Sequence, residues 1–82
     1  MNKILVEVYV PAISKLYDVL IPHWLKVYEL TALISGAVEK MSDGLFVSDN
    51  PVLCDGSDGN ILGINLSVED LKLYNGSRLM LI

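Results

Sequence analysis

The hydrophobic period of this chain changes once, from two to about 3.6, and that switch limits the folds open to it. From Ile4 to Val10 the run ILVEVYV is almost entirely β-branched or aromatic, and Glu7 marks the side that faces water. Ile4, Val6, Val8 and Val10 therefore point inward. Pro11-Ala12-Ile13-Ser14 reads as a short turn, and KLYDVLI, Lys15 to Ile21, as the second strand of a hairpin stopped by Pro22. Between Val27 and Met41 the apolar residues Val27, Leu30, Ile34, Val38 and Met41 recur every three or four positions. That spacing predicts a helix of about four turns, ending at Ser42-Asp43-Gly44. Its opposite face carries Glu29, Ala32, Gly36, Glu39 and Lys40, where Gly36 costs about 1 kcal/mol relative to alanine. The Ala32/Gly36 strip is read as ordinary surface ahead of a docking groove.

Beyond the helix the elements are short. Leu45-Phe46-Val47 and Val52-Leu53-Cys54 read as strands separated by an Asp49-Asn50-Pro51 turn. Ser67-Val68-Glu69-Asp70 resembles a helix N-cap with acids in its first turn, predicting a helical turn from Ser67 to about Leu71. Asn75-Gly76 is a turn pair, and Arg78 to Ile82 is the last strand. A hairpin, one helix, short strands, a small helical turn and a returning strand fit an α+β, two-layer β-grasp: a mixed sheet with one main helix packed across it.

Composition excludes several functions. The 82 residues make one domain, 1–82, too small for a core plus a deep substrate cavity. Six basic against ten acidic residues leave a net charge of −4 with no basic cluster, so neither nucleic acid nor an anionic membrane is an expected partner. No apolar run approaches the ~20 residues needed to cross a bilayer, and Met1-Asn2-Lys3 leads into a strand, so a cytoplasmic location is expected. Cys54 is the only cysteine and His23 the only histidine, which excludes an internal disulfide and a zinc site. Cys54 is expected to be a buried inert thiol, His23 a capping or packing residue, and Trp24 a lid on one end of the core. No cofactor is expected.

The segment DGSDGN, Asp55 to Asn60, has the oxygen-rich, glycine-punctuated look of a calcium loop. With Asp58 first, Asn60, Gly63 and Glu69 fall at the third, sixth and twelfth positions of that pattern, with Asp55 a further oxygen nearby. Leu62 then occupies a position that needs an oxygen ligand, and no long helix flanks the loop. Turn formation by Asp-Gly and Gly-Asn pairs is the preferred reading.

Element order and spacing resemble the ubiquitin-like fold across nearly the whole chain. The segment Asp70-Leu71-Lys72-Leu73-Tyr74-Asn75-Gly76-Ser77-Arg78-Leu79, a D-x-x-[IL]-x-N-G-x-R-L pattern, is most similar to the bacterial YukD/EsaB-like proteins associated with type VII secretion. The loop from Asp55 to Ile64 is longer than this resemblance implies. Conjugating and sulfur-carrying members of the fold act through a C-terminal Gly-Gly. Here the last strand ends the sequence without one, so a modifier or sulfur-carrier role is disfavoured and no enzyme activity is expected. The resemblance implies a small adaptor or regulator that acts by docking.

Apolar residues reach 52% without glycine, more than a small domain can bury. If Glu7 faces outward, so do Leu5 and Tyr9; if Leu79 and Leu81 face the helix, then Arg78, Met80 and Ile82 face away. Leu5, Phe46, Arg78, Met80 and Ile82 are therefore the candidate partner-binding residues on the sheet's outer face, and methionine suits an adaptable contact. The expected partners are proteins: components of a secretion machinery, as the resemblance implies, or a second copy of the chain.

Overall fold

A computed structural model describes residues 3–82; the expectation for Met1 and Asn2 lies outside them. Strand β1 (Lys3–Val10) and strand β2 (Lys15–Pro22) form the hairpin, joined by a single 3-10 turn at Pro11–Ile13. Ser14, left-handed at φ 51°, closes it by donating its N–H to the Pro11 carbonyl at 3.2 Å. Helix α1 (Val27–Met41) follows, then β3 (Leu53–Asp55) and β4 (Arg78–Leu81). The sheet order is β2-β1-β4-β3, with β1 and β4 parallel at the centre and antiparallel pairs on either side. This is the expected β-grasp.

The core lies between one sheet face and α1. Val6, Val8 and Val10 alternate into it from β1, Val19 and Ile21 from β2, and Leu79 and Leu81 from β4; the helix contributes Val27, Leu30, Ile34 and Val38. Met41 does not join them. It is the last helical residue and is exposed, because the chain leaves the helix there through left-handed Asp43 and Gly44. Gly44 donates its N–H to the Glu39 carbonyl at 2.8 Å and ends the helix. At the other end, Val27 and Tyr28 donate to the carbonyls of Leu66 and Ile64, which satisfies first-turn donors that a helix leaves open. Trp24 is exposed rather than closing the core.

Three short elements differ from expectation. Residues 45–47 form no strand; Phe46 instead plugs the core, held there as its backbone N–H donates to the buried Ser42 hydroxyl at 3.2 Å. The outer edge of β3 is already taken: the chain returns from the DGSDGN loop to bridge Cys54 with Ile61, and Leu62 donates to the Leu53 carbonyl at 3.1 Å. Strand β3 begins one residue later than read and Ile82 falls just outside β4, though Ile82 and Val52 exchange both backbone hydrogen bonds at 2.9 Å. The Ser67 segment makes the expected single turn, the Leu71 N–H donating to the Ser67 carbonyl at 3.0 Å, and a reciprocal box closes it, in which Ser67 N–H donates to Asp70 Oδ2 at 3.0 Å and Asp70 N–H donates to Ser67 Oγ at 2.9 Å.

Two glycines separate packing from propensity. Gly56 donates its N–H to the Arg78 carbonyl at 2.9 Å, and a Cβ there would meet the Arg78 backbone at 2.8 Å. A Cβ on Gly36 would meet nothing within 4 Å. Gly56→Ala is expected to destabilise the fold by about 1–3 kcal/mol, while Gly36→Ala stabilises it by about 0.5–1 kcal/mol; urea titrations of both variants measure the two opposite signs.

The Ser67 box also sets a pH dependence. Hydrogen bonds from Ser67, its backbone N–H first and its side chain second, lower the Asp70 carboxyl below its ordinary value. A carboxylate depressed in the folded state adds stability that is present above its unfolded pKa and lost as pH falls through the folded one. The stability gap between the protein and Asp70→Asn is therefore expected to be open at pH 7 and to close in acid, below the usual carboxylate range; melting temperatures against pH measure it.

Candidate docking face

Among the described residues no helix covers the sheet's second face, and strand register arranges it in three rows. Leu20 pairs with Leu5 at one end, Asp18 with Glu7 and Arg78 in the middle, and Leu16 with Tyr9 and Met80 at the other end. Leu5, Tyr9, Leu16 and Leu20 are exposed, Leu16 and Leu20 by 59% and 56%, and Met80 is half-buried. Arg78 Nε donates to Glu7 Oε1 at 3.1 Å, an exposed pair contributing at most about 1 kcal/mol. Around it lies a shallow concavity of about 330 Å³, lined chiefly by Glu7, Tyr9, Leu16, Gly56, Arg78 and Met80.

Of the residues expected on this face, Leu5, Arg78 and Met80 are there, and Ile82 lies exposed beyond the end of β4. Phe46 is not: it is 6% exposed and belongs to the core, because the segment that would have carried it outward is not a strand. Leu5 and the Met80 end do not make one apolar patch either, since the Asp18, Glu7 and Arg78 row separates them. Leu16 and Leu20 went unread. Their signal was the spacing of two on either side of Asp18, but KLYDVLI is apolar in both phases and the outward phase is marked only by Asp18 itself.

The other candidates are accounted for locally. Asp55 Oδ1 accepts N–H bonds from Ser57 at 2.7 Å and Asp58 at 3.4 Å, and Asp58 Oδ1 accepts from Asn60 at 2.9 Å. These carboxylates turn the chain, with Gly59 at φ 77° completing the bend. Glu69 lies in the separate Ser67 turn, and among the described residues no three His, Cys, Asp or Glu side chains converge as metal ligands. Cys54 pairs with Met80 on one side and Ile61 on the other and is buried. Burial pushes its thiol up, the opposite of what a nucleophile needs. His23 meets the Trp24 ring edge-on at 5.7 Å. Ala32 lines a shallow groove with Tyr28, Pro51 and Ile64, while Gly36 lies outside it. No described helix is long and apolar enough to cross a membrane.

No protein-family model and no curated protein sequence matches the chain. Solved structures match its fold. The ubiquitin-like domain of EccD5 from Mycobacterium xenopi superposes with a TM-score of 0.71 at 18% identity, covering 100% of this chain and 94% of that one. The ubiquitin-like domain of Plasmodium falciparum Dsk2 gives 0.72 at 19% identity, covering 96% and 95%. A chain of an ESX-5 inner membrane complex gives 0.72 at 17% identity; all of this chain aligns, with only 21% of that one. At these identities the likeness establishes the ubiquitin-like β-grasp fold.

Core and face respond differently to truncation. Phe46→Ala is expected to cost about 3–5 kcal/mol, whereas Leu16→Ala, on the open face, stays within about 0.5 kcal/mol of the parent. Denaturant midpoints of the two variants test the assignment of Phe46 to the core.

Proposed function

We propose that this chain is a non-catalytic, ubiquitin-like protein-interaction module that acts in the cytoplasm as a small adaptor or regulator of a type VII secretion apparatus. The observation that carries the docking function is the uncovered sheet face, where Leu5, Tyr9, Leu16 and Leu20 are exposed and Tyr9 and Leu16 line a concavity at the Glu7–Arg78 pair. Exposed apolar side chains on both sides of polar groups that set orientation are characteristic of protein-binding sites. Arg78 and Met80 supply a bidentate donor and an adaptable apolar contact at the rim of that concavity. Support for the secretion context comes from the 70–79 motif and from the fold likeness to EccD5 and to the ESX-5 chain.

The test is a tagged pull-down from the native cell, comparing the parent with a Met80→Asp, Leu5→Asp double variant and identifying captured proteins by mass. Capture of a secretion component by the parent, lost in a variant whose circular dichroism is unchanged, is the expected result. Equal capture by both folded proteins would remove the sheet face from the site, and unfolding of the variant would assign those residues to packing.

A further inference from the structure

The positions flanking β1 on the outer face are matched to one another. Its three rows are centred on β1, with β2 on one side and β4 on the other. The residues at equivalent distances from β1 are complementary: Asp18 lies opposite Arg78, and Leu16 opposite Met80. In the third row Leu20 has no large counterpart, since the position beside Leu5 on the β4 side is Gly76, whose N–H donates to the Leu5 carbonyl at 2.8 Å. A two-fold axis lying along β1 in the plane of contact exchanges the two sides. It sets Asp18 against the Arg78 of a second copy, Leu16 against its Met80 and Leu20 over its Gly76, while on the axis Leu5, Glu7 and Tyr9 each meet their own counterpart, the two Glu7 carboxylates each held by the Arg78 of their own chain. Isologous contacts require this kind of self-complementarity. An axis across the strands would instead place Asp18 on Asp18 and Arg78 on Arg78.

The charges on this face are also left incomplete within one chain. Glu7 and Asp18 are directly opposed like charges, an arrangement that destabilises a strand pair. Asp18 has no ion-pair partner among the described residues, while Arg78 binds Glu7 through Nε alone, leaving the rest of its donor fork toward solvent. One second chain, placed by that axis, completes both groups twice over. We infer that the occupant of the docking face is a second copy of this chain, packed sheet to sheet as a symmetric dimer with strands nearly aligned. This rests on the docking reading above and names its partner. Three short rows make a small contact beside the ~800 Å² per partner of a standard interface, so the dimer is a weak one that forms at high protein concentration.

Sedimentation equilibrium of the full chain up to about 1 mM tests it, with Asp18→Arg, Arg78→Asp, their equimolar mixture, and both reversals in one chain. The parent is expected to dimerise. Each single reversal places like charges at both symmetric contacts and weakens association about tenfold or more. The mixture and the doubly reversed chain restore it, because Arg at 18 again meets Asp at 78 across the axis. The doubly reversed chain keeps a cation beside Glu7, so it remains informative if Arg78→Asp does not fold. A parent that stays monomeric, single variants that dimerise like the parent, or a folded mixture and doubly reversed chain that both stay apart would each overturn the inference. Should the parent be monomeric while the pull-down still loses its partner on Met80→Asp, Leu5→Asp, the second copy is wrong and the docking face stands; if both fail, the face is not a site.

Discussion

The structure depends on the parallel meeting of the first and last strands. Val8 sits beside Leu79 and Tyr9 beside Met80, and the Glu7 N–H reaches the Ser77 carbonyl at 2.9 Å. Closing a loop of that length costs about 4 kcal/mol of chain entropy, and a ladder of so few pairs does not offset it. What holds β4 in the centre is burial: Leu79 and Leu81 are almost wholly enclosed by β1, β3 and the helix, and each fully buried leucine contributes about 1.5–3 kcal/mol. The turn before β4 aims it. Asn75 Oδ1 accepts the Leu5 N–H at 2.8 Å, and Gly76, at φ 94°, donates to Leu5, so the Asn-Gly pair is tied to β1 before the ladder begins.

One helix over one sheet covers one face only. Among the described residues no second layer covers the other face, and the strands that satisfy the core also carry leucines in the outward phase. The apolar excess seen in the composition is thus not uniformly spread surface; part of it is concentrated on the face opposite α1. The Asp18, Glu7 and Arg78 row interrupts that face and keeps its two apolar ends from merging into a single aggregation-prone sheet.

Long periodic segments were legible from sequence because periodicity and burial agree there. The inward valines of β1, the second strand and the limits of α1 all follow from alternation or helical spacing. Phe46 was misread because a three-residue apolar run carries no period, and whether it pairs depends on a distant event, the return of Ile61 and Leu62 to the edge of β3. Met41 continues the stripe in sequence but is the last helical residue, where the chain is already leaving the core. Trp24 had no pattern at all to place it. The DGSDGN loop turns the chain as its residues indicate, since Asp and Gly act locally through Asx bonds and positive φ. Of the face, Leu5, Arg78 and Met80 were legible from β1 and β4 register, but Leu16 and Leu20 were hidden in a strand apolar on both sides.

Edge and face compete as docking surfaces in any small sheet, and here the two edges differ. The β3 edge is closed by the returning loop through the Cys54–Ile61 bridge. The β2 edge is open and eight residues long, yet it begins at Lys15, carries Asp18 at its middle and ends at Pro22, the residue types that blunt strand addition. An incoming strand on β2 would leave Met80 and Arg78 untouched, two strands away. Contact through the face instead engages β2, β1 and β4 together, the strands whose pairing defines the fold, so binding there also reports on whether the first and last strands have met.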